Sequence, residues 1–175
     1  EQLPAPSSYI PTTGTALTRN ADLTIINNLS SWYNTAASTV VTSFSVPYAA
    51  LSGVWPWLYA FDDTTVNNRF GTFINSPTNS KAISFIRSGG VTQLSVIPNL
   101  VVTNDLTHVS AAAFTNSSAA ASIDGATTAT GATSVLPTPT QFRIGSGDFF
   151  LNGHLKSIIY YDSNLSNQKL KQLSN

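Results

Sequence analysis

Short apolar segments separated by turn residues at nearly regular intervals constrain this chain more than any other feature. The segments RFGTFIN, KAISFIR and VTQLSVI follow one another, with SPTNS and SGG between them. Turn signals about ten residues apart are typical of antiparallel β-sandwiches. No amphipathic helix of useful length occurs before Ser166, which argues against parallel βαβ units. The pattern therefore predicts an all-β fold of about ten or eleven strands in two facing antiparallel sheets.

Two segments indicate how individual strands are used. In STVVTSFSV, apolar and polar residues alternate, which predicts a half-buried strand. VWPWLYAF is apolar on both faces, which predicts a central strand that is covered on both sides. Pro56 has no N–H for the ladder, so it is expected at a bulge or an unpaired position. Trp55, Trp57 and Tyr59 alternate along this segment and are expected on one face.

The end of the chain carries the one convincing helix signal. Ser166 is a favourable N-cap. Leu165 and Leu170 occupy the two positions of a hydrophobic staple, and Leu173 continues the apolar stripe. A helix of about nine residues is marginal alone, so it must pack on the body of the domain. The sequence therefore predicts a short C-terminal helix over about 166–174.

The predicted surface is neutral and rich in Ser, Thr and Asn. Charged residues make up 9% of the chain, with eight basic and eight acidic side chains, against about 25% in an average domain. This balance predicts no nucleic-acid partner. No stretch approaches the roughly 18 apolar residues of a spanning helix, so no membrane insertion is expected.

The absence of Cys excludes disulfides, thiolate metal sites and Cys nucleophiles. The N-x-S/T sequons at Asn28, Asn116 and Asn164 are interpreted as chance matches in a chain rich in Ser and Thr, and only a eukaryotic secretory origin would make them glycosylation sites.

Two regions are predicted along the chain. Residues 1–20 hold three Pro and one Gly without a sustained period, which indicates an extended arm or linker. Residues 21–175 are expected to form one domain, a length that buries about 70% of the surface of the unfolded chain. Because the chain begins at Glu1 without Met, we expect a fragment or a processed form of a longer protein.

Four stretches, taken in order, resemble one family. SYIPTTGTALTRNADLTI has a Pro-Thr arm leading into TR-AD, FDDTTVNNRF has an Asp-rich turn before Asn-Asn-Arg, and SAAASIDGATTA has Asp-Gly between two strands. NGHLKSIIYYDSNLSNQKLKQL has a glycine-led strand, an aromatic pair and Leu-Ser before a last helix. From about residue 8 to 173, the chain resembles the concanavalin A-like, laminin-G-like jelly rolls of phage fibres and other virion proteins. Lys169 departs from the Glu that this family often has at the capping position.

The resemblance implies a fold, a setting and partners. The domain is expected to be a two-sheet antiparallel jelly-roll sandwich of the concanavalin A-like type. Its N-terminal strand should lie close to its last strand, and its helix should cover an open apolar sheet edge. The expected setting is the virion surface, after assembly in the host cytoplasm. The expected partners are other virion proteins and further copies of the chain, with a homotrimer favoured by analogy with fibres.

The sequence argues against an enzyme. Endoglucanases that share this architecture need two carboxylates around the scissile bond, and this chain has a single Glu, Glu1, in the predicted arm. Asp62 and Asp63 are adjacent, so on a strand they point to opposite faces. His108 and His154 lack a nucleophile motif or a metal-binding His partner at the required spacing, so both are interpreted as structural hydrogen-bonding residues. No cofactor is predicted.

Calcium is the alternative to that prediction. Related lectin and laminin-G folds hold Ca²⁺ at a sheet rim through Asp and Asn side chains and backbone carbonyls. The segment FDDTTVNNRF supplies Asp62, Asp63, Asn67 and Asn68 within seven residues. The favoured interpretation is a hairpin loop in which these side chains cap their own backbone. Both interpretations remain open from the sequence.

Carbohydrate is the most specific ligand hypothesis. Lectin sites combine an aromatic platform with Asn, Asp and Arg side chains that bond sugar hydroxyls. The segments YAALSGVW and DDTTVNNR flank one strand, and they are expected to meet at one end of the sandwich. Trp57 is expected in the core, and Arg69 has an alternative role as the partner of Asp62 or Asp63. The predicted ligand-binding residues are Tyr48, Trp55, Asp63, Asn67, Asn68 and Arg69.

Three functions fit these observations. The first is a non-enzymatic attachment module of a phage tail or head fibre that binds host-surface glycans weakly and multivalently. The second is a structural fibre or capsid-decoration module that binds no ligand. The third is a secreted bacterial or eukaryotic lectin or adhesin with an extracellular location. An exposed aromatic patch beside convergent polar groups favours the first, and a large apolar self-complementary surface favours the second.

Overall fold

A computed structural model describes residues 23–47, 54–75, 79–132 and 135–175 of the chain. Within these ranges the chain forms eleven strands and one helix, in agreement with the predicted all-β pattern. The predicted arm at 1–20 lies outside the described residues. The elements are β1 (Thr24–Ile26), β2 (Ala37–Ser45), β3 (Trp57–Asp62), β4 (Arg69–Asn75), β5 (Lys81–Ser88), β6 (Val91–Val96), β7 (His108–Thr115), β8 (Ser118–Ile123), β9 (Ala129–Ala132), β10 (Gln141–Ile144), β11 (His154–Tyr161) and α1 (Asn167–Leu173).

The strands form two antiparallel sheets. The front sheet has six strands in the order β1-β10-β3-β4-β5-β6, and the back sheet has five in the order β11-β2-β7-β8-β9. Non-consecutive neighbours such as β10 and β3 arise because the chain crosses between the sheets several times. This arrangement confirms the predicted jelly-roll sandwich. β1 pairs with β10 and not with the last strand, so the expected closeness of the first and last strands is not realised as pairing.

The core lies between the two sheets. Phe61 on β3 lies 4.9 Å from Phe70 on β4 and 4.4 Å from Phe142 on β10, measured between ring centroids. Val40 and Phe44 on β2 bury their side chains in the same cluster from the back sheet. Phe61 is fully buried, and truncation of such a ring to Ala costs about 3–5 kcal/mol. The aromatic stack therefore holds the middle of the front sheet against the back sheet.

β3 is the central strand that the sequence predicts, since all six of its residues are buried. Pro56 lies just before it and forms an isolated bridge with Phe149. Because it has no N–H, it bonds to β4 only through its carbonyl, which accepts from the N–H of Ile74 at 2.9 Å. The register shifts by one residue after Trp57, which is a β-bulge. A bulge reverses which face the following side chains occupy. Trp57 therefore points away from the core while Tyr59 points into it, and the expectation that they share one face is wrong.

The outer face of the back sheet is covered by α1. Leu170 is fully buried against Val41, Ala111 and Ala113, whose small or branched side chains let the helix approach closely. The helix thus covers a sheet face, and the expectation that it covers an open edge is wrong. Alanines on β7 explain the difference, because they leave room on that face that larger side chains would fill.

The cap of α1 is formed as predicted. Ser166 is the N-cap, and its hydroxyl accepts a hydrogen bond from the backbone N–H of Lys169 at 3.3 Å. Leu165 packs in the same cluster as Leu170, which is the predicted staple. α1 is seven residues long, and no helix in the described ranges has the length and hydropathy to cross a membrane.

The predicted Asp-Gly turn follows β8. Asp124 and Gly125 have φ values of 46° and 67°. The N–H of Ala126 donates to the carbonyl of Ile123 at 2.8 Å and closes the turn. Two successive residues with positive φ are the requirement of a type I′ turn, so this local prediction is confirmed.

Candidate functional site

The outer face of the front sheet, turned away from the core, carries an unusual set of side chains. Along β4, Phe70 and Ile74 point into the core, so Arg69 and Phe73 point outward. Along β5, Ile86 points inward, which places Phe85 and its alternate neighbours outward. A sheet face that meets only water is normally polar. Aromatic rings on this face therefore mark it as a candidate site.

Three of these rings form one cluster, here called the aromatic patch: Trp57, Phe73 and Phe85. Ring centroids lie 5.1 Å apart for Trp57 and Phe73, 5.8 Å for Phe73 and Phe85, and 6.1 Å for Trp57 and Phe85. These distances are those of favourable aromatic pairs. Trp57 is only 2% exposed, whereas Phe73 and Phe85 are partly exposed. The two Phe rings are therefore the accessible part of the patch.

Trp57 is buried by a loop of its own chain. Gly147 lies directly over the indole, since a Cβ at that position would come within 2.3 Å of the ring. The guanidinium of Arg69 lies 5.0 Å from the centroid of the same ring, in cation–π geometry. Arg69 also pairs with Asp148, the residue after Gly147. The loop, Arg69 and the indole therefore pack against one another. Trp57 is buried as predicted, but it lies on the outer face of the front sheet and not in the core between the sheets.

Asp62 anchors the other side of this loop. Its side chain is fully buried and accepts hydrogen bonds from Arg143 Nε at 2.6 Å, Gln141 Nε2 at 2.6 Å and the N–H of Thr64 at 2.8 Å. Arg143 Nη1 in turn donates to the carbonyl of Gly147 at 3.0 Å. Asp62 is therefore committed to Arg143. The predicted alternative, in which Arg69 pairs with Asp62 or Asp63, is wrong, because Arg69 pairs with Asp148.

Asp63 and its neighbours hold the β3–β4 loop. Asp63 Oδ1 accepts from the hydroxyl of Thr65 at 2.6 Å and from its N–H at 3.0 Å, and Oδ2 accepts from Asn68 Nδ2 at 2.8 Å. These bonds, that of the Thr65 hydroxyl first, hold the pKa of Asp63 below its ordinary value of 3.8. This is the self-capping loop that the sequence favours.

The same residues are the calcium candidates. Asp62 and Asp63 each accept at least three hydrogen bonds from protein donors. Among the residues that the structure describes, no three His, Cys, Asp or Glu side chains lie close enough to hold a metal ion. Whether Asp62, Asp63, Asn67 and Asn68 bind calcium stays a prediction.

The structure does not bring the predicted ligand-binding residues to one point. Trp55 precedes β3 and is 43% exposed, and its Nε1 donates to Asn75 Oδ1 at 3.1 Å. Asp63 follows the other end of β3. Six strand residues at about 3.3 Å each separate the two by about 20 Å. Trp55 and Asp63 therefore do not meet at one end of the sandwich, and residues 48–53 of the first segment lie outside the described residues. Tyr48 lies outside the described residues.

The outer face of the front sheet nevertheless extends from one end of β3 to the other. Trp55 and Asn75 lie at one end of it, the aromatic patch lies in the middle, and Arg69 and Arg87 lie opposite each other at the far end. Sequence reasoning missed Phe73, Phe85, Arg87 and Asp148 as parts of this surface. The signal for the first three was present, because RFGTFIN and KAISFIR each place an aromatic and an Arg on the same strand face.

His108 has the structural role that the sequence predicts. The N–H of Thr103 donates to His108 Nε2 at 3.0 Å, which leaves the ring proton on Nδ1. Nδ1 then donates to Asp124 Oδ2 over 2.5 Å. The buried ring therefore connects the loop after β6 to the turn after β8. His154 begins β11 and is exposed.

Solved structures similar to this one include domains with a bound sugar. The CBM40 of Ruminococcus gnavus IT-sialidase, bound to α2,3-sialyllactose, matches with a TM-score of 0.65 and 14% identity over 81% of this chain and 84% of its own. Domain 4 of AbnA, an arabinanase of Geobacillus stearothermophilus, in complex with arabinotriose, matches with a TM-score of 0.62 and 9% identity over 89% and 82%. Domains LG4-5 of the mouse laminin α1 chain match with a TM-score of 0.61 and 10% identity over 85% of this chain and 41% of theirs.

These likenesses, with the two-sheet topology, decide the fold. The chain is a concanavalin A-like jelly-roll sandwich. The CBM40 and the arabinanase domain named above are both solved with a sugar bound. No protein-family model matches the sequence, and no curated protein matches it. At such low identities, the similarity extends to the fold alone.

Proposed function

We propose that this sandwich is a non-enzymatic glycan-binding module and that the sugar lies along the outer face of its front sheet. The observation that carries the proposal is the pair of partly exposed rings, Phe73 and Phe85, on a sheet face flanked by charged and amide side chains. Exposing aromatic rings on a sheet face that meets only water is unfavourable in free energy, and such patches usually mark interaction sites. A patch of this kind is what an oligosaccharide requires, since the C–H faces of sugar rings stack on aromatic rings.

Polar groups at both ends of this surface supply the hydrogen bonds. The indole N–H and amide of the Trp55–Asn75 pair lie at one end. The carboxylate of Asp148, with its side chain 32% exposed, and the guanidinium of Arg87 lie at the other. Two of the structural neighbours hold sialyllactose and arabinotriose, which shows that sandwiches of this kind accommodate sugar chains.

A single site of this kind binds weakly. Each hydrogen bond exchanged with water contributes about 0.5–1.5 kcal/mol net, so one open site provides about −4 kcal/mol, a Kd in the millimolar range. Several linked copies raise the apparent affinity by about 10²–10⁴. The module is therefore proposed to act as a homo-oligomer, with a trimer favoured by analogy with fibres.

The proposed setting is a virion surface, on a phage tail or head fibre that contacts host-surface glycans and other virion proteins. The four sequence stretches that resemble virion jelly rolls support it, as does the neutral Ser/Thr/Asn-rich composition. A structural fibre module without a ligand and a secreted lectin or adhesin are the alternatives. The aromatic patch favours a binding role over the purely structural one.

The test is a glycan array probed with the domain displayed multivalently. Phe85→Ala and Trp55→Ala should lose binding, and Asn68→Ala should weaken it through the β3–β4 loop. Ile159→Ala is the matched control, since Ile159 is 48% exposed on β11 of the back sheet. Binding unchanged in Phe85→Ala would place the site elsewhere. A multivalent domain that binds no glycan would favour the structural alternative.

We further propose that binding needs no metal, because the carboxylates of Asp62 and Asp63 already serve the loop. Millimolar calcium should then leave the melting temperature unchanged. A rise that Asp63→Ala abolishes would establish the calcium site instead.

A further inference from the structure

Charge on the outer face of the front sheet is unevenly distributed. Near the end where β4 begins, it holds three arginines and two aspartates. Asp148 neutralises Arg69, and Asp62 neutralises Arg143. Arg87 lies directly opposite Arg69 across β4 and β5. Among the residues that the structure describes, no carboxylate lies within ion-pair distance of Arg87. Arg87 is therefore the arginine of this end that has no carboxylate partner among the described residues, since the nearby carboxylate of Asp63 is bound by Thr65 and Asn68.

The position of Arg87 is fixed by the hairpin that follows it. Its Nε donates to the carbonyl of Gly90 at 3.0 Å. Gly89 and Gly90 have φ values of 59° and 78°, which a two-residue turn between β5 and β6 requires and which L side chains rarely adopt. The bond engages one of the five guanidinium N–H groups. The remaining groups have no hydrogen-bond partner among the described residues.

Two residues predicted to bind ligand instead hold this turn in place. Asn68 Oδ1 accepts from the N–H of Gly89 at 2.8 Å, and the carbonyl of Asn67 accepts from the N–H of Gly90 at 3.0 Å. Asp63 in turn fixes the Asn68 amide at 2.8 Å. The β3–β4 loop thus positions the acceptor that orients Arg87. Preorganisation of this kind lowers the entropy that a ligand must lose on binding.

The neighbours of Arg87 match the remainder of a sugar ring. Phe85 lies two residues earlier on the same face of β5, with its ring partly exposed. Thr92 lies on β6 directly opposite Arg87 and is exposed. An apolar ring face and a hydroxyl therefore flank a cation whose planar N–H groups match the two oxygens of a carboxylate or sulfate.

From this arrangement we propose that the module prefers acidic glycans, with Arg87 binding the anionic group of the sugar. The inference rests on the proposed function and adds the class of ligand. A hydrogen bond to a charged group is roughly twice as strong as a neutral one. The preference for an acidic sugar over its neutral counterpart should be about tenfold, which corresponds to about 1.4 kcal/mol. This preference should decrease as the salt concentration rises, because salt screens the attraction between solvent-exposed charges.

The experiment compares the multivalent domain on three immobilised probes: lactose, sialyllactose and sulfated lactose. The native domain should bind one or both acidic probes about ten times more tightly than lactose, and the two acidic arms separate a carboxylate from a sulfate preference. In Arg87→Gln the ratio of acidic to neutral binding should fall to about one, whatever the affinity of this variant for lactose. Arg87→Lys should keep part of the preference, because it keeps the charge and loses the planar fork. Lys169→Gln is the matched control, since it removes an exposed cation from α1 on the opposite side of the molecule.

The outcomes separate the two proposals. Equal binding of lactose and both acidic probes by the native domain would overturn the preference and leave glycan binding in place. An undiminished preference in Arg87→Gln, with its melting temperature unchanged, would overturn the role of Arg87. Failure of every probe to bind the native domain would overturn glycan binding itself.

Discussion

Replacement of Asp62 by Ala tests the network that supports the outer face. Asp62 is fully buried and accepts hydrogen bonds from Arg143, Gln141 and Thr64. Removal of one partner from a buried ion pair costs about 3–5 kcal/mol. Two features favour the lower end of that range. The Arg143 side chain is 18% exposed and keeps a second acceptor in Gly147. Thr64, at φ 75°, is released from a backbone conformation that costs about 1–2 kcal/mol.

We therefore expect Asp62→Ala to lower the free energy of unfolding by about 3 kcal/mol. For a domain of this size the melting temperature should fall by roughly 6–12 °C. Urea denaturation followed by tryptophan fluorescence and circular dichroism measures both the midpoint and the slope. The midpoint should shift while the slope stays unchanged.

Asp63→Ala is the matched control, because the same side chain is removed one residue further along. Asp63 is partly exposed and bonds only within its own loop, so its loss should cost less than about 1 kcal/mol. Equal costs for the two variants, or a loss below about 1 kcal/mol for Asp62→Ala, would refute the account of Asp62 as the buried anchor of this surface.

Three further predictions concern stability. Leu170→Ala should cost about 2–5 kcal/mol in chemical denaturation, because Leu170 is fully buried between α1 and the back sheet; the half-buried Leu173→Ala should cost clearly less. Burial raises the pKa of Tyr33 and Tyr59 far above the ordinary 10.0, so their stabilising contribution is present below pH 10 and lost above it. In an ultraviolet titration both should ionise only as the fold is lost, and ionisation of all six tyrosines near pH 10 in the folded protein would contradict this. The pKa of Asp63 is lowered from 3.8, so its contribution to stability is present above that pH and is lost as pH falls through the folded-state pKa; the stability difference between the native protein and Asp63→Asn should shrink as pH falls below 3.8.

The fold could be predicted because its signals are local. The Asp-Gly turn, the Ser166 cap and the alternation along each strand depend on residues close in sequence. The role of α1 was harder, because it depends on which face of β7 carries the alanines and which sheet that strand joins. The position of Trp57 was also out of reach, since a single inserted residue in β3 decides its face. Pro56 signals a bulge or an unpaired position nearby but does not specify which residue is inserted.

The candidate site could be predicted only in part. The Asp-rich segment was correctly interpreted as a self-capping loop, because Asx hydrogen bonds are local. The partner of Arg69 is 79 residues away at Asp148, and Asp62 finds Arg143 from a strand 81 residues later. Pairs that distant follow from the order of strands in the sheet, which the sequence pattern does not specify. Of the outer-face rings, Trp57 was assigned to the core, where large aromatic side chains are often buried, and Phe73 and Phe85 were missed although their alternation was visible.

Chemical-shift mapping tests the central claim most directly. The ¹⁵N-labelled domain is titrated with an oligosaccharide that the array identifies, up to concentrations above the expected millimolar Kd. The claim predicts that the largest amide shifts occur along β4 and β5, around Phe73, Phe85 and Arg87, while β11 and α1 of the back sheet stay unchanged. Shifts confined to the back sheet, or the absence of any shift with a ligand that binds the multivalent form, would contradict it.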